Sequence, residues 1–442
     1  MKVVIIGCTH AGTAAAKNAA KLYKDAEITV YEKNDNISFL SCGIALYVGG
    51  VVKDPKGLFY SSPEALKEIG ITTRMNHEVL EVKPEEKIIM VKNLTDASIF
   101  EDTYDKLIIT TGSWPIVPKF EGLELENILL SKNYDHSNDI IEKSKNSENI
   151  VVVGAGYIGA ELVEAFADQG KKVTLIDTEA RIMSKYFDKE FTDLAEEEYK
   201  NHGIKLALGE TVVRFEGENG KVTSVVTNKG LYPADMVILS IGFKPSTELF
   251  RGMLEMLPNG AIIVDEYMQT SCPDVFAAGD CCAVKYNPTG KLQYIPLATN
   301  AVRMGTLVAR NLQKPLIKGM GTQATSGIKI YDLNCAATGL TQTMAEAQEL
   351  DVKTVTVKEN YRPEFMPSYE EAMLKIVYDN KTRVVLGAQL LSKADLTQSI
   401  NTLSVVIQNK MTIDELAFVD FFFQPHYNKP WNILNMAGLA AE

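Results

Sequence analysis

The sequence lacks the features that mark several other classes of protein. It contains no run of about 18 apolar residues, so we expect no helix that spans a membrane. Its 6 cysteines and 5 histidines show neither zinc-ligand spacing nor the pattern of a secreted disulfide protein. Its net charge of −12 leaves no basic surplus for binding nucleic acid or an anionic membrane. We therefore expect no bound metal and no nucleic-acid or membrane partner, which leaves small molecules as its ligands.

Length and composition are those of an ordinary globular protein. A chain of 442 residues is long enough for roughly two to four domains with substantial cores. Hydrophobic residues make up 46% and charged residues 23% of the sequence, which is typical of globular domains. Met1-Lys2 is followed directly by an apolar strand, so we expect no signal peptide and a cytoplasmic location.

The N-terminal segment has the pattern of a dinucleotide-binding βαβ unit. A strand predicted from Val3 to Ile6 leads into Gly-Cys-Thr-His-Ala-Gly at 7–12, and an alanine-rich helix follows. The next predicted strand, Ile28 to Tyr31, ends at Glu32, whose carboxylate could bind both hydroxyls of an adenosine ribose. The middle glycine of the usual fingerprint is replaced by Thr9, so this unit alone is moderate evidence.

A second unit of the same kind follows and keeps all three glycines. A strand predicted from Ile150 to Val153 precedes Gly-Ala-Gly-Tyr-Ile-Gly at 154–159, and we expect a helix from about Ala160. The next predicted strand, Val173 to Ile176, ends at Asp177. Strand, glycines, helix, strand and acidic residue in this register predict a dinucleotide site strongly.

The acidic residue of the second unit bears on the choice of nucleotide. The carboxylate of Asp177 can accept a hydrogen bond from a ribose 2′-hydroxyl and repels a 2′-phosphate. The nearest following arginine is Arg181, four residues later. We therefore expect NADH to be preferred over NADPH.

Two further segments predict close approach of backbone to a ligand. Residues 104–113 are typical of a buried strand that runs into a small-residue turn, and residues 270–280 of a short strand that ends in Gly279-Asp280. Asp280 could bind a polyol hydroxyl, and we expect a helix after it whose start faces a pyrophosphate.

Cys42 lies in Ser-Phe-Leu-Ser-Cys-Gly at 38–43, just after the first nucleotide unit, and has no cysteine nearby. The residues from Gly43 onward can begin a helix, which would stabilise a thiolate and lower the pKa of Cys42. An isolated thiol in such a place predicts a sulfenic acid, or a mixed disulfide with a small thiol, as the redox intermediate.

Together these segments resemble the flavin pyridine nucleotide-disulfide reductase family over essentially the whole chain. Two-cysteine members carry a second cysteine five positions away, where this chain has Ile37 or Tyr47. The chain is therefore most similar to the single-cysteine branch, and within it to water-forming NADH oxidases of lactic acid bacteria. The segments that carry this likeness are 7–13, 38–43, 110–113, 154–159, 278–280, 361–366 and 421–430, together with Glu32.

The resemblance implies an α/β fold with two Rossmann-like domains and a C-terminal α+β interface domain. FAD would bind residues 1–119 with 245–318, and NADH would bind residues 120–244. Residues 319–442 would form the interface of a homodimer, with further pairing of dimers left open. Apolar patterning agrees: it predicts strands at 373–378 and 384–391 and a helix at 400–408.

The family's site residues map onto positions of this chain. The resemblance implies that Cys42 and His10 are catalytic. The implied FAD contacts are Gly7, Thr9, His10, Ala11, Gly12, Glu32, Cys42, Val79, Thr110, Thr111, Gly112, Ser113, Lys132, Asp280, Ala298, Thr299 and, on the partner subunit's flavin, Phe423. The implied NADH contacts are Gly154, Gly156, Tyr157, Ile158, Gly159, Asp177, Tyr186, Gly242 and Gly327.

The resemblance also implies a reaction. NADH would reduce FAD past a gating Tyr157, oxygen would form a flavin hydroperoxide, and Cys42 would reduce the released hydrogen peroxide to water and become a sulfenic acid. His10 would stabilise that sulfenic acid or move a proton; the alternative is a turn histidine that only packs on the flavin.

Three other functions fit the same residues. An NADH peroxidase would take hydrogen peroxide from outside and react poorly with oxygen. A coenzyme A-disulfide reductase would form a mixed disulfide at Cys42 and needs a basic and aromatic path for the coenzyme. Tyr361 and Tyr427 could be mistaken for part of such a path, but the whole-chain resemblance to this class is poorer. A flavin-bound redox sensor would act through a partner protein, but no segment is typical of an appended signalling module.

Overall fold

The structure is a computed structural model that describes residues 1–442. Its first sheet has five parallel strands, of which four are largely buried and the edge strand Ile71–Met75 is partly exposed. In spatial order they are Val275–Ala277, Lys106–Ile109, Lys2–Ile6, Glu27–Glu32 and Ile71–Met75. The helix His10–Leu22 joins two of them and packs on Ala298–Asn311. These helices come very close, since a Cβ on Gly305 would lie 2.2 Å from the carbonyl oxygen of Ala11.

The second sheet repeats this arrangement. Its five parallel strands are Lys205–Leu208, Lys172–Asp177, Asn149–Val153, Met236–Leu239 and Ile128–Leu130, in that spatial order. The associated helices are Tyr134–Ser144, Tyr157–Ala167 and Lys189–Asn201. In both sheets the strand that precedes the glycine turn is central, so each turn lies at the carboxyl edge of its sheet.

Smaller antiparallel sheets and short helices accompany the two parallel sheets. An antiparallel sheet of His77–Lys83, Ile88–Asn93 and Ile99–Thr103 accompanies the first, and one of Val212–Glu218, Lys221–Thr227 and Leu231–Pro233 accompanies the second. Two ribbons pair Ser113–Pro115 with Phe243–Pro245 and Val284–Lys285 with Leu292–Gln293. The remaining short elements are the helices Ile44–Val48 and Pro63–Glu68 and the 3-10 turns Ser41–Gly43, Pro55–Leu58 and Glu248–Phe250.

The C-terminal part is an antiparallel sheet covered by helices. Its strands are Ser326–Ile330, Leu333–Gly339, Val385–Ser392, Glu371–Asp379 and Val352–Asn360, in spatial order. The helices are Gln342–Ala347, Ser399–Gln408, Ile413–Ala417 and Ile433–Leu439. The predicted strands at 373–378 and 384–391 and the predicted helix at 400–408 are present, and the predicted fold class is confirmed.

Two local predictions are wrong. The helix after the second glycine turn begins at Tyr157 rather than near Ala160, because Gly156 is its N-cap and has extended backbone angles. No helix begins directly after Asp280. The chain instead forms the hairpin 284–293, whose turn contains Pro288 and Gly290, and the next helix begins at Ala298. No helix in the structure is both long and apolar enough to cross a membrane.

A buried ionic network connects the helix Lys189–Asn201, which belongs to the second parallel sheet, with the C-terminal sheet. Asp188 begins the helix Lys189–Asn201 and is 3% exposed, and its carboxylate lies 3.1 Å from the ammonium of Lys375, which is 5% exposed. It also accepts hydrogen bonds from Gln389 Nε2 at 2.7 Å, the backbone N–H of Gln342 at 2.9 Å and the hydroxyl of Thr343 at 2.8 Å. Burial favours the protonated acid, but these bonds outweigh it and hold the pKa of Asp188 below its usual value.

Replacing Lys375 with methionine is expected to lower the free energy of unfolding by about 3 kcal/mol, because the buried carboxylate of Asp188 loses its counter-ion. Chemical denaturation of the FAD-loaded protein would measure this. The matched control is Lys189→Met, which removes an exposed ion pair with Asp193 and should cost less than about 1 kcal/mol. Equal losses in the two variants would contradict a special contribution from the buried network.

Candidate active site

A cavity of about 1000 Å³ runs along the carboxyl edges of both parallel sheets. It is lined by residues of both glycine turns, both acidic strand ends, Cys42 and the turn at 110–113. Its size and its position across two sheet edges suit two dinucleotides that meet near one thiol. The sequence elements that predicted separate nucleotide sites therefore share one continuous space.

Most predicted site residues line this cavity. On the FAD side they are Gly7, Thr9, His10, Ala11, Glu32, Cys42, Val79, Thr110, Thr111, Gly112, Ser113, Lys132, Asp280 and Ala298. On the NADH side they are Gly154, Gly156, Tyr157, Ile158, Asp177, Tyr186, Gly242 and Gly327. Being in the wall places each within reach of a ligand in the cavity; the contacts themselves stay predictions.

Four residues of the predicted set do not line the cavity. Phe423 is predicted to contact the partner subunit's flavin, so its contact, like the other three, stays a prediction. Gly12 and Gly159 lie behind the turns, where a Cβ would come within 2.0 Å and 1.8 Å of the carbonyl oxygens of Gly7 and Gly154. Both therefore allow helix and strand to pack closely, which is a structural role. Thr299 is exposed on the helix that Ala298 begins, and Phe423 lies on the surface of its own chain, 47% exposed.

The first glycine turn is shaped by steric limits and by Glu32. Gly7 has φ +92°, and a Cβ there would lie 2.5 Å from the carbonyl oxygen of Thr110. The buried carboxylate of Glu32 accepts the backbone N–H of Cys8 at 2.7 Å and that of Asn34 at 2.9 Å. Burial raises the pKa of Glu32, and these hydrogen bonds oppose the rise. Glu32 thus fixes the turn while it faces the cavity.

The second turn repeats this device with Asp177. Its carboxylate accepts the backbone N–H of Ala155, which is the counterpart of Cys8, and the backbone N–H of Glu179 at 2.8 Å. Arg181 lies in the cavity wall, but its guanidinium contacts Asp193 and donates to the hydroxyl of Thr192 at 3.0 Å. Arg181, the nearest cationic side chain in sequence to Asp177, is therefore already bound by acceptors of the protein itself.

A polar network lines the middle of the cavity. Lys132 donates to the hydroxyl of Ser113 at 2.9 Å, which donates to Asp280 at 2.9 Å, and Lys132 itself lies 3.5 Å from Asp280. Nearby, the buried hydroxyls of Thr111, Ser131 and Tyr294 have no hydrogen-bond partner within the protein. Orphaned buried groups carry a substantial free-energy cost unless a ligand binds them.

These features fit FAD. Orphaned hydroxyls in the cavity wall match a cofactor rich in polyol, phosphate and ring hydrogen-bonding groups, and the glycine turn at 7–12 opens a helix whose N–H groups can bind phosphate. Ser131 and Tyr294 were not found from the sequence, because neither belongs to a local motif. The only signal in the sequence was their position: Ser131 directly precedes Lys132, and Tyr294 lies shortly before Ala298.

Cys42 is a free thiol that is exposed to the cavity in the one-turn segment Ser41–Gly43. Desolvation raises the pKa of Cys42, the carboxylates of Glu161 and Asp280 raise it further, and Lys132 opposes them. The predicted lowering of this pKa is therefore wrong. The helix that follows, Ile44–Val48, has only five residues, so its dipole is too weak to outweigh burial and two carboxylates.

His10 begins the first helix and stacks on Tyr60, with ring centroids 5.7 Å apart and planes 3° from parallel. Its Nδ1 lies 3.0 Å from the hydroxyl of Tyr60, and its buried Nε2 has no partner in the protein. Burial lowers the pKa of His10, so the imidazole is neutral near pH 7. Tyr60 was missed from the sequence, because nothing in the chain between the two residues signals their contact.

Two tyrosines form a layer on the NADH side of the cavity. The rings of Tyr157 and Tyr186 pack with their centroids 4.3 Å apart and their planes tilted by 37°, and the hydroxyl of Tyr157 lies 2.8 Å from that of Ser326. Glu161, one helical turn after Tyr157, also lines the cavity and was not singled out from the sequence. The site therefore combines a thiol, a neutral imidazole, an aromatic layer and an acidic side chain.

Two family models match the chain. The model described as pyridine nucleotide-disulphide oxidoreductase matches residues 1–305, and that of the dimerisation domain of the same family matches residues 325–433. The chain is 54% identical to a curated NADH oxidase of Enterococcus faecalis, with 100% of this chain and 99% of that protein covered.

A solved structure is equally similar. The water-forming NADH oxidase of Lactobacillus brevis, bound to NADH, is 53% identical and superposes with a TM-score of 0.98, covering 100% of this chain and 98% of that one. A CoA-dependent NAD(P)H sulfur oxidoreductase of Pyrococcus abyssi is more distant, at 35% identity over 98% of this chain and 96% of that protein. Similarity therefore ranks the oxidases above this sulfur oxidoreductase.

Proposed function

This chain belongs to the pyridine nucleotide-disulphide oxidoreductase family, and we propose that it is an FAD-dependent oxidase that uses two NADH to reduce oxygen to water. The observation that carries the proposal is the thiol of Cys42, which is exposed in one cavity with both nucleotide turns, whereas the other cysteine of the cavity wall, Cys8, is fully buried. All six cysteines are free, so electrons cannot pass through a cysteine pair at this site. The relatives named NADH oxidase support the same activity.

The nucleotide sites follow from the two turns. We propose that FAD binds along 7–12, Glu32 and the network of Ser113, Lys132 and Asp280, and NADH along 154–159 and Asp177. FAD supplies two-electron transfer from NADH and the reaction with oxygen. The protein orients the two nucleotides within one cavity, whose wall includes Tyr157, Tyr186 and Cys42.

The thiol carries out the second half of the reaction. The thiolate of Cys42 attacks one oxygen of hydrogen peroxide, an S–O bond forms as the O–O bond breaks, and hydroxide leaves. A proton converts this hydroxide to water and leaves Cys42 as a sulfenic acid. Two electrons and one proton, which together make up the hydride of the second NADH, return the sulfenic acid to the thiolate and release a second water. The unpartnered Nε2 of His10 is suited to exchange a proton here, because Tyr60 holds the ring.

Stoichiometry tests this function. In a sealed oxygen electrode, we expect the protein to consume two NADH per oxygen, and catalase added at the end should return no oxygen. A protein that barely consumes oxygen, but oxidises NADH rapidly once hydrogen peroxide is added, would be a peroxidase instead. Turnover that needs coenzyme A disulfide would identify the third candidate. Negligible turnover with all three substrates would leave the redox-sensor alternative.

The quaternary structure is proposed from the surface of the C-terminal part. Phe418, Phe422, Tyr427 and Trp431 are more than half exposed in the single chain, an apolar surface that is costly to leave in water. We propose that a second copy covers this surface and that Phe423 reaches the partner's cavity, as the matching dimerisation model supports. Light scattering should give twice the mass of the chain, and a monomer would contradict the proposal.

A further inference from the structure

The helix Tyr157–Ala167 carries two acidic residues on a face that leads away from the cavity. Glu161 lines the cavity, and Glu164 follows three positions later on the same face, behind the cavity wall. Asp168, four positions further on, is the exposed C-cap of the helix. The remaining helix residues after Tyr157 are apolar or glycine, and most are buried. The carboxylates of Glu161, Glu164 and Asp168 thus lie in a row along one side of a largely apolar helix, from the cavity to the surface.

The inner end of this row faces Cys42. Glu161 and Cys42 line the same cavity, and the helix Ile44–Val48, which follows Cys42, packs against the helix Tyr157–Ala167. The carboxylate of Glu161 makes no hydrogen bond within the protein and raises the pKa of Cys42. Asp280 also acts on the thiol, but it is held by Ser113 and Lys132. Glu161 is therefore the acidic side chain near Cys42 that is free to take up and release a proton.

The outer end of the row is linked to exposed groups. Glu164 accepts the backbone N–H of Tyr331 at 3.0 Å, and Tyr331 stacks on the exposed ring of His202 with centroids 3.4 Å apart. The titratable or charged groups that act on Glu161 or that it acts on are Glu164, Cys42, Tyr157 and Tyr199. Those around Glu164 are Asp168, Lys329, His202, Tyr199 and Tyr331.

The proposed reaction requires a supply of protons. Reducing oxygen to hydrogen peroxide with one NADH consumes one proton, and converting the hydroxide released at Cys42 to water consumes another. The neutral His10 can pass a proton but holds none in reserve near pH 7. Two protons must therefore enter a largely apolar cavity in every turnover.

We propose that Glu161 and Glu164 form a proton relay that supplies Cys42 from the surface at Asp168 and His202. The inference rests on the proposed oxidase function. Burial, with a contribution from Glu164, raises the pKa of Glu161 to about 7, which lets it donate and regain a proton near neutral pH. Burial also raises the pKa of Glu164, with Asp168 adding to the rise and Lys329 and His202 opposing it.

The pH dependence of turnover tests the relay. In the wild type, kcat should fall as pH rises through about 7, because Glu161 loses the proton that it donates. The isosteric variant Glu161→Gln should lower kcat at least ~10-fold at about pH 6, remove this decline and leave KM for NADH unchanged. Glu164→Gln should also lower kcat, although it does not line the cavity. Small carboxylic acids such as acetate should partly restore Glu161→Gln.

The matched control is Glu197→Gln, an exposed glutamate on the helix Lys189–Asn201 that makes no hydrogen bond or ion pair. It should keep the wild-type profile. A Glu161→Gln variant with unchanged kcat and a raised KM at all pH values would show that Glu161 only binds NADH, and the relay would be wrong. An unchanged kcat in Glu164→Gln would likewise overturn the path to the surface.

A second readout does not depend on turnover. The rate of alkylation of Cys42 by iodoacetamide in the FAD-loaded protein reports the titration of the thiol. Because the Glu161 carboxylate raises the pKa of Cys42, Glu161→Gln should shift this titration to lower pH. No shift would contradict the contact between the two groups. A failed oxygen stoichiometry in the wild type would instead refute the oxidase and leave this titration unaffected.

Discussion

Replacing Cys42 with serine is expected to halve the NADH consumed per oxygen, from two to one, and to release hydrogen peroxide in an amount equal to the oxygen used. Serine keeps the size of the side chain, but its hydroxyl cannot be oxidised to a sulfenic-acid equivalent. The nucleotide turns and the network of Lys132, Ser113 and Asp280 do not involve the thiol, so NADH oxidation itself should continue. An oxygen electrode with catalase added at the end measures both quantities.

The matched control is Cys272→Ser, which changes a half-buried thiol outside the cavity. It should leave the ratio at two NADH per oxygen and release no peroxide. If Cys42→Ser also kept the ratio of two, another group would be reducing the peroxide, and the role proposed for Cys42 would be wrong. Mass spectrometry of the wild type should accompany the assay, because a Cys42 already oxidised to a sulfinic acid would behave like the serine variant.

The parts of the site that the sequence predicts are those encoded within about 30 consecutive residues. A strand, a glycine turn, a helix and an acidic strand end form one βαβ unit, so 7–12 with Glu32 and 154–159 with Asp177 can be found by spacing alone. The structure adds that both acids also accept the N–H at the second position of the turn, at Cys8 and Ala155. This explains why each strand must end where it does.

The residues that the sequence does not reveal are brought to the site by packing between distant segments. Tyr60 contacts His10 across 50 positions of the chain, and Tyr294 lines the same cavity as Ser131 and Asp280. Glu161 lies on the helix that follows the glycine turn 154–159, which the sequence predicts. Its carboxylate comes near Cys42 only because this helix packs beside the segment that follows Cys42. The same packing explains the wrong expectation for Cys42, since burial and carboxylates from other segments outweigh a local helix start.

Changing Asp177 to alanine together with Thr178 to arginine is expected to move the preference from NADH towards NADPH. The carboxylate that would repel a 2′-phosphate is lost, and an exposed position gains a guanidinium that can bind the phosphate. Two such effects of about 1.5–3 kcal/mol each would change the ratio of kcat/KM values by roughly 10²- to 10⁴-fold. Steady-state kinetics with both nucleotides measures the ratio.

The single variants separate the two effects. Thr178→Arg alone should raise the use of NADPH much less, because Asp177 still repels the phosphate and can pair with the new guanidinium. Asp177→Ala also removes the acceptor for the N–H groups of Ala155 and Glu179, so part of any loss of activity would come from a loosened turn. Asp177→Asn with Thr178→Arg keeps one amide oxygen as acceptor and should recover that part. If neither double variant gained activity with NADPH while both still bound FAD, the 2′ end of the nucleotide would not lie at Asp177.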